Sequence, residues 1–174
     1  MTRPLPDEYP EYYNLYINLI GDGDIRKILE SQGNDTQKFF ESLPSEFGDK
    51  TYAFGQWTIK EVVGHMIDTE RIYSARALRI ARGDKQPLPG YDQDEYVRNG
   101  KFFKRTLRDL ADEMLIIRGA SLMLFNNLDE EEFLFKGKAN DFDFSVRAIM
   151  YIIAGHENHH INYIKNNYLN ILTL

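Results

Sequence analysis

The sequence predicts an all-α protein, a four-helix bundle whose helices are joined by long crossover connections. Four windows of about twenty residues repeat apolar side chains at spacings of three and four, which is the period of an amphipathic helix. The connections between these windows are long enough for crossovers, whereas tight hairpins would need only a few residues. Few runs alternate apolar and polar residues, so we expect no sheet.

Length and composition favour one domain over residues 1–174, with its boundaries at about Tyr9 and Leu169. No repeat, low-complexity tract or Ser/Gly linker divides the chain. A domain of this size buries roughly two thirds of the surface that its unfolded chain exposes, so folding requires no metal. The absence of cysteine excludes disulfides, thiolate metal sites and a cysteine nucleophile. Any metal must therefore be held by histidine and carboxylate.

Charge and hydropathy argue against two classes of partner, nucleic acids and membranes. The formal net charge of -6 repels phosphate backbones, so we expect no nucleic-acid binding. The N-terminus lacks the apolar segment of a secretory signal, and no apolar stretch approaches the ~20 residues that cross a bilayer. We therefore expect a cytoplasmic protein that does not bind membranes.

The first predicted helix covers residues 24–43, and Gly33 and Asn34 weaken its middle. A short helical lead-in precedes it, and we assign the aromatic side chains of this lead-in to packing on the bundle. Its apolar and aromatic residues are Tyr9, Tyr12, Tyr13, Leu15, Tyr16 and Leu19.

The second predicted helix runs from Thr58 to Arg82 and ends at Gly83. Thr58 and Glu61 form the pattern of a capping box, in which each side chain satisfies a free backbone N–H of the first turn. At 100° per residue, His65 falls on the buried stripe of this helix. The other members of the stripe are Val62, Met66, Thr69, Ile72, Tyr73, Ala77 and Ile80.

The third predicted helix covers residues 106–127 and contributes core without obvious chemistry. The fourth begins at Ser145, since serine is a preferred N-cap residue, and continues to about Asn167. Two histidines replace aliphatic residues in the middle of its core stripe. The stripe consists of Val146, Ile149, Ile153, His156, His160 and Ile164.

These histidines indicate a metal site. His156 and His160 stand one helical turn apart on the same face, so both imidazoles can reach one ion at ~2.0–2.1 Å. His65, on the opposing stripe, can complete a trio that leaves one coordination position open, as in catalytic sites. A single buried histidine is more often a hydrogen-bonded core residue, but the coincidence of three interior histidines favours a metal. His159 lies about 100° from the stripe, in the surroundings of the site or on the surface.

Two known motifs overlap the pair on the fourth helix. Residues 156–160 read H-E-x-x-H, the zinc-protease signature, but no His, Asp or Glu follows His160 to serve as third ligand. Glu157 and His160 also match the Glu-x-x-His of di-iron bundles, which require a second such motif. Glu61 precedes His65 by four residues rather than three and is already used by the capping box. A single metal ion is therefore favoured.

Three segments resemble the DinB-like superfamily, the DNA-damage-inducible metalloprotein family that is distinct from the DNA polymerase of the same name. They are residues 57–71 (WTIKEVVGHMIDTER), 88–97 (LPGYDQDEYV) and 155–161 (GHENHHI). The resemblance implies an up-down-down-up bundle, a divalent transition metal such as zinc or nickel on His65, His156 and His160, and a homodimer. It also implies transferase or isomerase chemistry that uses a low-molecular-weight thiol as cosubstrate.

Three functions remain open from the sequence. The first is a metal-dependent transferase or hydrolase that acts on a small molecule, with Glu157 or His159 moving protons. Its candidates for substrate contact are Asp68, Arg76, Tyr91, Asp92 and Asp94. The second is a metal-binding stress-response or regulatory module without catalysis. The third is an interaction domain in which the histidine trio belongs to the core and holds no metal.

Overall fold

A computed structural model of the protein describes residues 1–169. Its helices and strands in chain order are α1 (Asn14–Ile17), α2 (Ile25–Ser42), α3 (Ile59–Ala81), α4 (Gln93–Gly100), α5 (Leu107–Phe125), β1 (Lys136–Ala139), β2 (Phe142–Ser145) and α6 (Val146–Tyr163). A π-helical segment, Ile164–Leu169, continues α6. Within residues 1–169, no helix combines the length and the apolar character needed to cross a membrane.

The long helices α2, α3, α5 and α6 form the predicted four-helix bundle. Both α2 and α3 pack against α5 and α6, so α2 and α3 lie on one diagonal of the bundle and α5 and α6 lie on the other. The contact of Gly33 with Arg118 and the hydrogen bond of Gln37 with Asp112 show that α2 and α5 are antiparallel. Hydrogen bonds that side chains make across the bundle place α3 parallel to α5 and α6 parallel to α2. The up-down-down-up course is therefore confirmed.

Each long helix begins at a side-chain cap. Asp24, Thr106 and Ser145 accept a hydrogen bond from a backbone N–H of the first turn. At the start of α3, the capping box is complete, because the Thr58 hydroxyl accepts from Glu61 N and the Glu61 carboxylate accepts from Thr58 N. The predicted starts of all four helices are therefore confirmed.

The expectation that the chain contains no sheet is wrong. Strands β1 and β2 form an antiparallel hairpin whose turn, Asn140 and Asp141, has φ values of 49° and 65°. Asparagine and aspartate tolerate this left-handed backbone better than other side chains. Four-residue strands are too short to show an alternating pattern in the sequence. The hairpin packs on the C-terminal end of α3, where a Cβ on Gly137 would lie 2.6 Å from Ile80.

The connection between α3 and α5 also contains structure that the sequence did not predict. Its helix α4 is capped by the Asp92 carboxylate, which accepts from Asp94 N at 2.9 Å and Glu95 N at 3.0 Å. Helix α4 packs against α3. Eight residues give barely two turns, too few for a hydrophobic period to stand out.

A buried ionic network joins all four long helices. Arg118 on α5 makes a bidentate hydrogen-bonded contact with Glu70 on α3 and donates to Glu157 on α6 at 2.5 Å. Thr36 on α2 donates to the other oxygen of Glu157. Gly33 makes room for this arginine, since a Cβ there would lie 2.9 Å from Arg118 Cγ. The glycine that weakens α2 locally is thus required by packing.

Candidate metal centre

The three histidines of the predicted trio meet inside the bundle. His65 comes from α3, and His156 and His160 come from successive turns of α6. The Nε2 atom of His156 lies 3.1 Å from Nε2 of His65 and 3.0 Å from Nε2 of His160. One ligand atom from each of the three lies within 4.8 Å of the other two. The side chains of His65 and His156 are buried, and that of His160 is partly buried.

Hydrogen bonds alone do not account for this arrangement. An imidazole Nε2 carries either one proton or one lone pair, so His156 Nε2 cannot serve two neighbours in a single tautomer. A metal ion accepts a lone pair from each ring. Ligands at 2.0–2.1 Å in a tetrahedral site stand about 3.4 Å apart, close to the observed separations of 3.0 Å and 3.1 Å. The three nitrogens therefore fit a single transition-metal ion.

The electrostatics of the site also suit metal binding. Burial lowers the pKa of His65 to about 4, and burial together with His65 and His159 lowers the pKa of His160 to about 3. The pKa of His156 is lowered well below its usual value by burial and by the neighbouring imidazoles. Metals bind the neutral imidazole, so these rings present their lone pairs without first losing a proton near pH 7.

Aromatic side chains surround the trio. Trp57 packs on His65 with ring centroids 5.0 Å apart, and Tyr16 packs edge-on against His156 at 5.3 Å. The lead-in helix approaches α6 closely, because a Cβ on Gly155 would lie 2.1 Å from the backbone oxygen of Tyr16. Nδ1 of His160 is buried and has no hydrogen-bond partner among residues 1–169, so no described protein group fixes its tautomer.

The two residues that the sequence suggested for proton transfer lie in different surroundings. Both oxygens of the Glu157 carboxylate are engaged, one by Thr36 and one by Arg118. His159 is partly exposed, and its ring centroid lies 5.1 Å from that of His160. Burial lowers the pKa of His159 as well. Of the two, His159 has the freer side chain, and a role in proton transfer remains a prediction for both.

Two cavities reach the trio at different rings. The first, which we call the tryptophan cavity, has a volume of about 300 Å³ and touches His160. Its walls consist of Gly55, Gln56, Trp57, Val62, Asp94, His159, His160, Tyr163 and Tyr168. The second, which we call the tyrosine cavity, measures about 170 Å³ and touches His65 and His156. Its other walls are Tyr12, Tyr13, Tyr16, Thr69, Tyr73, Arg76, Gly90, Tyr91, Gln93, Asn140 and Ile152.

Three of the five residues predicted to contact substrate line one of the two cavities. Arg76 and Tyr91 line the tyrosine cavity, and Asp94 lines the tryptophan cavity. Asp92 caps α4, and Asp68 lines neither of these two cavities. Sequence reasoning assigned the lead-in tyrosines to packing, yet Tyr12, Tyr13 and Tyr16 form one wall of the tyrosine cavity. The signal that points to them is tyrosine rather than phenylalanine at several positions, because a wall exposed to water suits a phenol.

The fold and the site define a class of protein, the four-helix bundles that can hold one metal ion on histidines from two helices. The model of the DinB superfamily matches residues 28–164, which is more than half of the chain. The protein therefore belongs to the DinB superfamily.

Two similar proteins carry related descriptions. The chain is 27% identical over 145 residues to OB0413 from Oceanobacillus iheyensis, and the match covers 80% of each chain. The name of OB0413 describes it as an inferred metal-dependent hydrolase. Its fold is similar to that of YfiT from Bacillus subtilis, with a TM-score of 0.74 and 16% sequence identity. That match covers 91% of this chain and 98% of YfiT. YfiT is described as an inferred metal-dependent hydrolase with an unusual four-helix bundle topology.

Proposed function

We propose that the protein is a metal-dependent transferase that activates a small thiol for attack on a small-molecule electrophile. The observation that carries this proposal is the convergence of three neutral imidazoles beside two cavities. One divalent transition metal, most simply zinc or nickel, would bind to His65, His156 and His160. Three protein ligands leave a coordination position for an exogenous ligand.

The metal, when bound, lowers the pKa of a coordinated thiol or water and so makes a nucleophile available near pH 7. The chain contains no cysteine, so the thiol must come from outside. The two cavities touch different rings of the trio, which suits a reaction with two substrates. One cavity would hold the thiol and the other the electrophile.

The chemical step requires a group that accepts one proton. His159 Nδ1 or Nε2 takes the proton of the thiol S–H, and the sulfur lone pair forms the new S–C bond. The bond from carbon to the leaving group breaks at the same time, and the leaving group departs with the electron pair. His159 lies in the wall of the tryptophan cavity and is partly exposed, so it can return the proton to solvent. Glu157 is held by Arg118, so in this proposal it orients α6.

A hydrolase is the second candidate, and the descriptions of OB0413 and YfiT favour it. In that reaction, water replaces the thiol, His159 accepts a proton from water, and a C–O bond forms in place of the C–S bond. The non-catalytic module and the inert interaction domain are less well supported, because neither role requires cavities beside the trio. The homodimer remains a prediction, which sedimentation of the purified chain tests.

The experiment compares thiol transfer with hydrolysis in protein loaded with zinc or nickel. Conjugation of a small thiol to a chlorodinitrobenzene is measured beside hydrolysis of an aryl ester. We expect His160→Ala to abolish metal binding and conjugation together. His159→Gln should retain the metal and slow turnover by about 10²-fold or more. The control is Arg79→Gln, which removes a surface partner of Asp84 and should leave turnover unchanged. Undiminished conjugation in His160→Ala would reject the mechanism, and ester hydrolysis without conjugation would establish the hydrolase.

A further inference from the structure

The tyrosine cavity contains a buried arginine without a counter-ion. Arg76 is only 6% exposed, yet no carboxylate of residues 1–169 lies within 4.0 Å of its guanidinium. The other two strongly buried arginines, Arg118 and Arg147, each have such a partner. A buried charge without compensation is costly, so an unpaired one that faces a cavity indicates a missing anion.

Among residues 1–169, the contacts of Arg76 leave most of its donors unused. Nη2 donates to the backbone oxygen of Pro89 at 2.7 Å, and the guanidinium carbon lies 5.0 Å from the centre of the Tyr73 ring. A guanidinium has five N–H donors in a planar fork, so one backbone acceptor leaves room for a bidentate ligand. The contacts with Pro89 and Tyr73 position the guanidinium, and Arg76 still lines the tyrosine cavity.

The rest of the cavity wall is neutral and rich in hydrogen-bond donors. Arg76 is the one Lys or Arg in the described wall, and that wall contains no Asp or Glu. The hydroxyls of Tyr13 and Tyr73 lie 2.6 Å apart, and those of Thr69 and Tyr91 lie 2.8 Å apart. Burial raises the pKa of Tyr73 and of Tyr91, so both phenols remain protonated and can donate. One positive charge among neutral donors matches a single negative charge.

Arg76 and one member of the trio, His65, lie along the same helix, α3. His65, Thr69, Tyr73 and Arg76 follow one another at spacings of four, four and three, so they share a face of α3. The two ends of this row are eleven positions apart, which is about 16 Å along the axis. The side chains of His65 and Arg76 both lean back over the preceding turn, and the arginine reaches about 2 Å further, so the guanidinium stands roughly 14 Å from the trio.

We propose that Arg76 binds the carboxylate of a substrate whose reacting end lies at the trio. A hydrogen bond from the guanidinium to the carboxylate takes up about 3 Å of the distance between the guanidinium and the trio. The substrate is thus an elongated monoanion, with a carboxylate at one end and a nucleophilic thiol about 11 Å away. A carboxylate is favoured over a phosphate ester because the described wall supplies one cation, whose fork is complementary to two carboxylate oxygens. The assignment of the reacting end rests on the proposed function, whereas the anion site does not.

The test uses a chain of eight carbons, which roughly matches this span. Protein substituted with cobalt is titrated with 8-mercaptooctanoate and with 8-mercaptooctanamide, and the thiolate-to-cobalt absorption reports binding. Metal-free protein is titrated in parallel with octanoate and octanamide by calorimetry. In wild type, we expect each carboxylate to bind about 10- to 100-fold more tightly than its amide. Arg76→Gln should abolish this preference and keep the thiolate absorption. The control Arg79→Gln, one turn further along α3 and paired with Asp84, should retain both.

The outcomes separate the two proposals. Equal affinity for carboxylate and amide in wild type, or a preference that survives in Arg76→Gln, would overturn the anion site. Absence of thiolate absorption with both thiols, while metal-free protein still prefers octanoate, would overturn only the thiol chemistry at the metal. Should Arg76→Gln fail to fold, Arg76→Lys takes its place, since the lysine keeps the charge and an apolar stem. A several-fold weaker preference in that variant supports the bidentate contact, and an unchanged preference contradicts it.

Discussion

The Nε2 atoms of His65 and His156 lie 3.1 Å apart although 91 positions separate the two residues in the chain. Packing of α3 against α6 brings them together, and a large surrounding core supports both helices. The histidine cluster is therefore a product of the fold rather than its cause. A chain of this length can fold without the metal, so the metal should add stability to an already folded protein.

The first prediction concerns this added stability. Metal-free wild type should be helical and unfold cooperatively, and zinc at about 100 times its dissociation constant should stabilise it by about 2.7 kcal/mol. For a domain of this size that corresponds to a rise in Tm of roughly 5–10 °C. Circular dichroism melts with and without zinc measure the shift. His156→Ala should show no shift, and an equal shift in that variant would place the metal elsewhere.

The second prediction concerns the buried arginine at the centre of the bundle. Arg118→Met leaves the carboxylates of Glu70 and Glu157 buried without a cation, which should reduce the free energy of unfolding by about 3–5 kcal/mol. Arg71→Met is the matched control, because it removes an exposed partner of Glu113 and should change stability by less than about 1 kcal/mol. Urea denaturation measures both. Equal losses in the two variants would contradict the importance assigned to the network.

The third prediction concerns the glycine that precedes His156. In Gly155→Ala the new methyl would lie 2.1 Å from the backbone oxygen of Tyr16, so the lead-in segment must shift. We expect a loss of stability of about 1–3 kcal/mol and a smaller zinc-induced shift in Tm. In Gly119→Ala, no atom of the part of the chain that the structure describes lies within 4 Å of the new methyl, so this change should stabilise α5 by roughly 0.5–1 kcal/mol. Destabilisation of the same size at both positions would show that the close approach of Tyr16 is unimportant.

The fourth prediction concerns acid denaturation. Burial opposes ionisation of Glu8, but hydrogen bonds from Arg147 and Ser145 outweigh it and hold the pKa of this carboxyl below its usual value of 4.5. A group whose pKa is lowered by folding stabilises the folded state above its usual pKa and loses that contribution as the pH falls through the folded pKa. Wild type should therefore lose more stability than Glu8→Gln when the pH is lowered from about 6 to below 4. Parallel urea midpoints in the two proteins across this range would contradict the lowered pKa.

Much of the fold follows from the sequence because the signals are local and strong. The capping box at Thr58 and the aspartate at position 24 mark helix starts, and long apolar periods mark the helices that follow. The hairpin and α4 do not follow, because each is too short to give a period and is stabilised by contacts with α3. The pairing of Leu88 with Ala139, for example, joins segments that no local pattern connects.

The candidate site also combines features that the sequence predicts with features that it does not. Helical spacing places His156 and His160 on one face, and the buried stripe of α3 presents His65 to them. The hydrogen bond from Arg118 to Glu157 does not follow from the sequence, because it depends on which residues of four helices meet at one depth of the bundle. The role of the lead-in tyrosines in a cavity wall was missed for the same reason. Side-chain partners across helices are set by tertiary packing, which a single sequence does not display.

The metal content of the purified protein tests the central claim most directly. Wild type, His65→Ala and His159→Ala are purified without chelator, incubated with zinc or nickel, desalted and analysed by inductively coupled plasma mass spectrometry. We expect about one equivalent of metal per chain in wild type and in His159→Ala, whose altered residue lies beside the trio, and less than about a tenth in His65→Ala. Less than a tenth of an equivalent in wild type, or a full equivalent in His65→Ala, would contradict the account.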